Sequence, residues 1–168
     1  MAISLHDISA PIFVRHLTGL AAVLRKAQAL YADKKLDETT LLVYRLYPDM
    51  FSFIRQVQAS TDHAANCMGL LSGVEPVRHP GEEKSLQELI ARIEKTVAFV
   101  QSVTPAMVEG AEDKPVVVKM RDREQQFSGL GLLQNRSLPN FYFHCTTAYD
   151  ILRHNGVEIG KRDFMGAS

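Results

Sequence analysis

Between residues 50 and 71 the side chains of Met50, Ile54, Val57, Thr61, Ala64, Met68 and Leu71 follow one another in alternating steps of four and three. That spacing lines them along one side of an α-helix and cannot be the two-residue alternation of a half-buried strand. A helix with a single apolar stripe must bury it against other elements, so the chain is committed to packing helices together. The start of this helix is read near Asp49, a suitable N-cap, and its end near Gly73.

Three more segments repeat the pattern. The first runs from Ser9 to Asp33, with Pro11 in its first turn and a stripe of Phe13, Leu17, Leu20, Leu24, Ala27 and Tyr31. The third opens on Ser85-Leu-Gln-Glu88, the serine–glutamate spacing of a capping box, and buries Leu86, Ile90, Ile93, Val97 and Val100. The fourth has a first segment over Ser128–Leu138, a kink or restart at Pro139, a main stretch over Asn140–His154 and a stop at Asn155-Gly156. Lys34–Thr40 reads as a loop, Leu41–Leu46 as a short extra helix before Pro48, and Val74–Lys84, with its two prolines and Gly81, as a loop. Pro105 ends the third helix or opens a short turn.

Val116–Met120 is rich in β-branched residues, Arg121-Asp-Arg123 is suited to a turn, and Glu124–Phe127 returns, so a small hairpin is expected between helices three and four. Val157–Ser168 is read as an extended tail whose Phe164 and Met165 dock on the bundle or on a second subunit. The fold class is all-α: an up-down four-helix bundle with one hairpin, in a single domain spanning residues 1–168.

Composition narrows the function classes. Lys plus Arg equals Asp plus Glu at 19 each, which gives no net field to draw in a phosphate backbone, so no nucleic-acid partner is expected. No apolar run reaches the ~20 residues of a membrane span. Met1–Asp7 lacks the basic-then-apolar order of a signal peptide, which points to a cytoplasmic protein. Cys67 and Cys145 are far apart and without metal-type spacing, so both are expected to be buried free thiols.

The stretch Leu138–Gly156 interleaves aromatics with His144, Thr146, Thr147, Tyr149 and Asp150. His144 lies in line with Ala148, Ile151 and Asn155, beside Tyr142, Thr146, Tyr149 and Arg153. If that line faces the bundle axis, His144 is a half-buried imidazole suited to acid–base work near neutral pH, or a core histidine satisfied by a carbonyl or hydroxyl. Tyr149 either donates its hydroxyl to a ligand or packs its ring. Asp150 and His154 are four apart, a pair or simply a C-terminal cap. On helix two, Gln58 and Asp62 flank the stripe beside Arg55, and Asp62 is expected to pair with Arg153 or another base, in a structural or a catalytic role.

Seven motifs together resemble a known family: Asp49-Met-Phe51, Gln56-Val-Gln58, Glu109-Gly-Ala-Glu112, Leu138-Pro-Asn-Phe-Tyr-Phe-His144, Thr147-Ala-Tyr149, Ile151-Leu-Arg-His-Asn-Gly156 and Ile159-Gly-Lys161. The chain is similar over nearly its whole length to an uncharacterised domain-of-unknown-function family grouped with the DinB/YfiT-like metalloenzyme superfamily. The resemblance implies a four-helix bundle, often a homodimer. Metal-binding relatives use one histidine from the second helix and a His-x-x-x-His from the last, residues four apart sharing one face. Here His63 and His144 match two of those positions, but the third is Ala148. His154 lies ten residues beyond His144, ~15 Å along the axis and turned ~80° around it, and does not replace the missing ligand.

Three functions follow. The first is a metal-independent small-molecule pocket in the bundle, with His144, Tyr149 and Asp62 as the chemical groups and Tyr142, Thr146, Arg153 and Gln58 as contacts, and with no cofactor. The second is an enzyme that holds a divalent metal such as zinc or nickel through His63 and His144. The third is an oligomeric structural or stress-response protein without chemistry.

Overall fold

A computed structural model describes residues 3–119 and 123–166. It is mostly helical, with one two-stranded hairpin. The long helices are α1 (Ala10–Asp33), α3 (Phe53–Ser72), α4 (Leu86–Ser102) and α6 (Leu138–His154); α2 (Glu38–Leu42), α5 (Gly129–Leu132) and α7 (Lys161–Phe164) are short. α1 packs chiefly on α4 and α3 chiefly on α6, while α4 also meets α3 and α6 also meets α1. The six stripe residues of α1 are all buried, as are Val57, Thr61, Ala64, Met68 and Leu71 of α3. Burying such side chains, at roughly 1.5–3 kcal/mol each for the large aliphatics and Phe, is what holds the helices together. Among the described residues no helix is long and apolar enough to cross a membrane.

α3 starts later than its stripe suggested. Its N-cap position is Ser52, not Asp49, and Met50 lies in the preceding turn. Residues 43–52 are folded into that turn by their own bonds. The Phe53 amide donates to the Tyr44 carbonyl at 2.8 Å, the Met50 amide donates to the Tyr47 carbonyl at 3.0 Å, and Arg45 donates to the Met50 carbonyl. The short helix also lies earlier than Leu41–Leu46. Asp37 caps it, accepting from the Thr39 amide at 2.9 Å, so the end of the expected Lys34–Thr40 loop, from Glu38 on, is helical. Gly73 does end α3 in the left-handed conformation, at φ 78°.

At α4 the Ser85 hydroxyl accepts from the Glu88 amide at 3.1 Å. The Glu88 carboxylate reaches one residue further back than a standard box, accepting from the Lys84 amide at 2.6 Å. A turn of 3-10 helix follows at Pro105–Val108. Strands β1 (Pro115–Lys119) and β2 (Glu124–Ser128) pair antiparallel, Val116 opposite Phe127 and Val118 opposite Gln125. Of the expected turn, residues 121 and 122 lie outside the described residues, as does Met120.

Between α5 and α6 the helix widens into one π turn, Leu133–Ser137. Pro139 explains it, because proline has no amide to donate and its ring crowds the carbonyl four residues back. The Asn140 side-chain amide donates to the Arg136 carbonyl at 2.7 Å, within the same turn. The tail is not extended throughout. α7 folds back on α1, where Lys26 pairs with Asp163 at 2.6 Å and Arg15 donates to the Met165 carbonyl at 2.7 Å. Gly19 permits the approach: a Cβ there would sit 3.0 Å from the Asp163 carbonyl oxygen.

Candidate functional site

His144 lies on the interior face of α6, 9% exposed, in line with the buried Ala148 and Ile151. Its Nδ1 is 2.7 Å from the Oε1 of Gln56 on α3. The Gln56 amide nitrogen donates to the Phe51 carbonyl at 3.2 Å, which fixes the orientation of the amide. A side-chain carbonyl oxygen only accepts, so we assign the ring proton of His144 to Nδ1, which donates to Gln56 and leaves Nε2 with a lone pair.

Two rings stack on the imidazole. The His63 ring lies nearly parallel to it at 5.6 Å between centroids and 13° between planes, and Phe51 at 5.9 Å and 11°. Phe143 adds an edge contact at 5.4 Å, and the Arg55 guanidinium sits 5.5 Å from the Phe51 ring centroid. Both histidines are held neutral. Burial lowers the pKa of His63 to about 4, assisted by the nearby His144 and Arg136. Burial also lowers that of His144, with help from Arg55.

His63 lines an open cleft of about 690 Å³ beside the C-terminal half of α3. Its walls are α3, the loop after Gly73, β1 and the π turn. Leu70, Val74, Pro76, Val117, Val118 and Leu132 give it apolar surface, whereas Asp62, His63, Asn66 and Arg136 supply polar groups. Its volume falls within the range usual for small-molecule sites. His144 does not line the cleft but stands behind His63. Cys67 and Ser137 meet at the cleft wall, yet burial pushes the Cys67 thiol up to about 12, so it holds its proton. Cys145, buried among the helices, is likewise pushed up to about 12, and both cysteines are free thiols.

A charged network centred on a buried arginine adjoins the cleft at Asp62. Arg92 of α4, 3% exposed, donates to the Asp62 carboxylate at 2.5 Å, to the Glu83 carboxylate at 2.8 Å and to the Thr61 hydroxyl at 2.7 Å. Gln58 joins it, donating to Glu83 at 2.6 Å and accepting from Arg55 at 2.6 Å. Burial works to raise the Glu83 pKa, but the bonds from Arg92 and Gln58 outweigh it and hold the group ionised. The network pins the loop after α3 to the bundle.

The other expected residues lie elsewhere. Tyr149 packs edge-on against Phe164 at 5.8 Å, on the side of α6 that faces α1 and α7. The space beside it is about 10 Å³, scarcely one water. Tyr142 packs on His16 at 5.0 Å. Thr146 and Arg153 are exposed, and the partner of Asp62 is Arg92 rather than Arg153. Asp150 and His154 share no hydrogen bond among the described residues; His154 lies against Tyr44 at 5.7 Å.

Residues 5–165 match the family described as Domain of unknown function (DUF1993). The chain belongs to that family. It is also similar to the crystal structure of a DinB family member protein from Shewanella denitrificans, with 36% identity and a TM-score of 0.90 over 98% of this chain and 93% of that one. The fold is DinB-like. No curated protein matches.

The donors present in this family member do not fit the three-imidazole metal site of DinB-type relatives. The third position is Ala148, fully buried in the core. Asp62, the carboxylate nearest His63 in sequence, is held by Arg92. Among the described residues no group of three His, Cys, Asp or Glu side chains is placed to hold a metal ion.

Sequence reading alone passed over Arg92, Glu83, Asn66 and Arg136. Arg92 had a visible signal, since it falls between Leu89 and Thr96 within the buried face of α4. A charge in an apolar stripe needs partners. Arg136 and Asn66 carried no such mark, because only the tertiary fold brings the π turn and β1 beside α3.

Proposed function

We propose that this protein binds a small organic molecule in the cleft beside α3, with His63 as its proton-accepting group and His144 as the residue that positions it. The observation that carries the reading is the stacked, neutral imidazole pair, whose outer member opens on the cleft while its inner member is fixed by Gln56. A neutral imidazole can take a proton from a bound molecule and return it, and stacking limits how far the ring can turn. Asp62 serves the network with Arg92, and Tyr149 serves packing. In this reading the site works without a resident metal, since the position that would supply the third imidazole is the buried Ala148. The reading takes the four long helices as an up-down bundle, supported by the return loop joining α3 and α4, which pack on each other.

The test is a fragment screen followed by 1H–15N NMR at pH 7. Hits should move the amides of Asn66, Leu70 and Val117 together, and His63→Ala should weaken them, whereas Tyr149→Phe should not. Hits that cluster instead around Tyr149 and Phe164, or ignore His63→Ala, would refute the placement. Elemental analysis of protein purified without chelator should find less than a stoichiometric amount of zinc or nickel. A full equivalent lost in His144→Ala would favour a metal enzyme instead.

A further inference from the structure

Three rings beside the α3–α6 contact share one orientation. The planes of Phe51 and His63 lie 11° and 13° from that of His144, with centroids 5.9 Å and 5.6 Å from its own. Near-parallel rings at such distances are offset stacks, one of the arrangements that aromatic pairs prefer. Of the three, only His63 lines the cleft. His144 occupies one side of that ring, so the surface His63 gives to the cleft is its other face and its edge. Burial disfavours charge on both imidazoles, so that face belongs to a neutral π ring. Asn66 lies three residues further along α3, on the neighbouring turn, and lines the same cleft. Its side-chain amide can both donate and accept. Leu70, Val74 and Val117 continue the lining as apolar surface.

Resting on the cleft reading above, we infer that the occupant carries a planar aromatic ring, stacked on the open face of His63, with a hydrogen-bonding group on its edge beside Asn66. The ligand then extends the run of parallel rings into the cleft. Apolar lining alone would accept any body of the right bulk, because area burial does not distinguish a flat ring from a puckered one. A stacked ring gains an attraction beyond the area it buries, and His63 is already held at a fixed tilt by its neighbour to supply it. The assignment calls on no charge in the cleft.

Benzamide and cyclohexanecarboxamide test it, since both are neutral, both carry one amide on a six-membered ring, and only the first is aromatic. Each is titrated at pH 7 while the amides of Leu70 and Val117 and the carbon-bound ring protons of His63 are followed by NMR. Benzamide should bind about three- to tenfold more tightly, the ratio that one aromatic pair supplies. It should also move the His63 ring protons upfield, as a ring lying over them does, whereas the saturated amide should not. His63→Leu should remove the preference, and His63→Phe, which keeps a ring but accepts no proton, should retain it. Asn66→Ala should weaken both amides alike. The upfield shift is read in the wild type, so the test does not depend on a variant that folds. Equal binding of the two amides, no upfield shift at His63, a preference that survives His63→Leu in folded protein, or no effect of Asn66→Ala would overturn the stacked placement while leaving the cleft intact. If neither amide moves any cleft signal, the cleft reading itself fails and the stacked ring with it.

Discussion

Replacing His63 by Gln should flatten the dependence of stability on pH between about 6.5 and about 4. In the unfolded chain this imidazole titrates near its usual 6.5, whereas burial in the folded protein lowers it to about 4. Above 6.5 the ring is neutral in both states and its titration adds nothing. As pH falls below 6.5 the unfolded state takes up a proton that the folded state refuses, so stability drops, and the loss is complete near pH 4. The full gap is worth about 3 kcal/mol, and the ring's partial exposure reduces this to roughly 2 kcal/mol. Urea unfolding of the wild type and of His63→Gln at pH 7.0, 5.5 and 4.0 gives the comparison directly. Glu83, His79, His16 and His144 also have displaced pKa values, so both proteins lose stability in acid. The difference between the two curves isolates His63. At pH 7 the variant should be modestly weaker; by pH 4 it should have lost about 2 kcal/mol less than the wild type. Curves that run parallel across the whole range would refute the burial of a neutral ring at this position.

Three further outcomes test the scaffold. Arg92→Met should cost about 3–5 kcal/mol in urea unfolding, because it leaves the Glu83 and Asp62 carboxylates without their buried partner; amide exchange should speed up in residues 74–84. By contrast, Glu94→Gln should cost less than about 1 kcal/mol, since the Arg25–Glu94 pair is half exposed at both ends. Gly129→Ala should destabilise by about 3 kcal/mol or more, because its Cβ would lie 1.9 Å from the Ala111 carbonyl oxygen and the backbone must move.

The long helices were legible in the sequence because each writes its buried face at helical spacing, and the hairpin because Val116, Val117 and Val118 sit together before a polar return. The start of α3 was not. Asp49 has the chemistry of a cap, but Pro48, the bond from Arg45 and the bonds accepted by the Tyr44 and Tyr47 carbonyls keep residues 43–52 in a turn. The interior placement of His144 followed from its line with Ala148 and Ile151. Its true neighbours did not, because Gln56, Phe51 and His63 are up to 93 residues away along the chain and meet it only through the packing of α3 on α6. Tyr149 lies one position past that line and therefore turns toward α1 and α7. The cleft was hidden for a different reason. Its walls come from four separate segments, and no local pattern announces that β1 and the π turn will flank His63.

The ring nitrogens of His63 and His144 offer the most direct test of the neutral imidazole pair. Long-range 1H–15N NMR of the side chains at pH 7.5 should show both rings neutral, with the His144 proton on Nδ1 and its Nε2 bearing a lone pair. Finding either ring as imidazolium at that pH, or His144 protonated on Nε2 alone, would contradict the account.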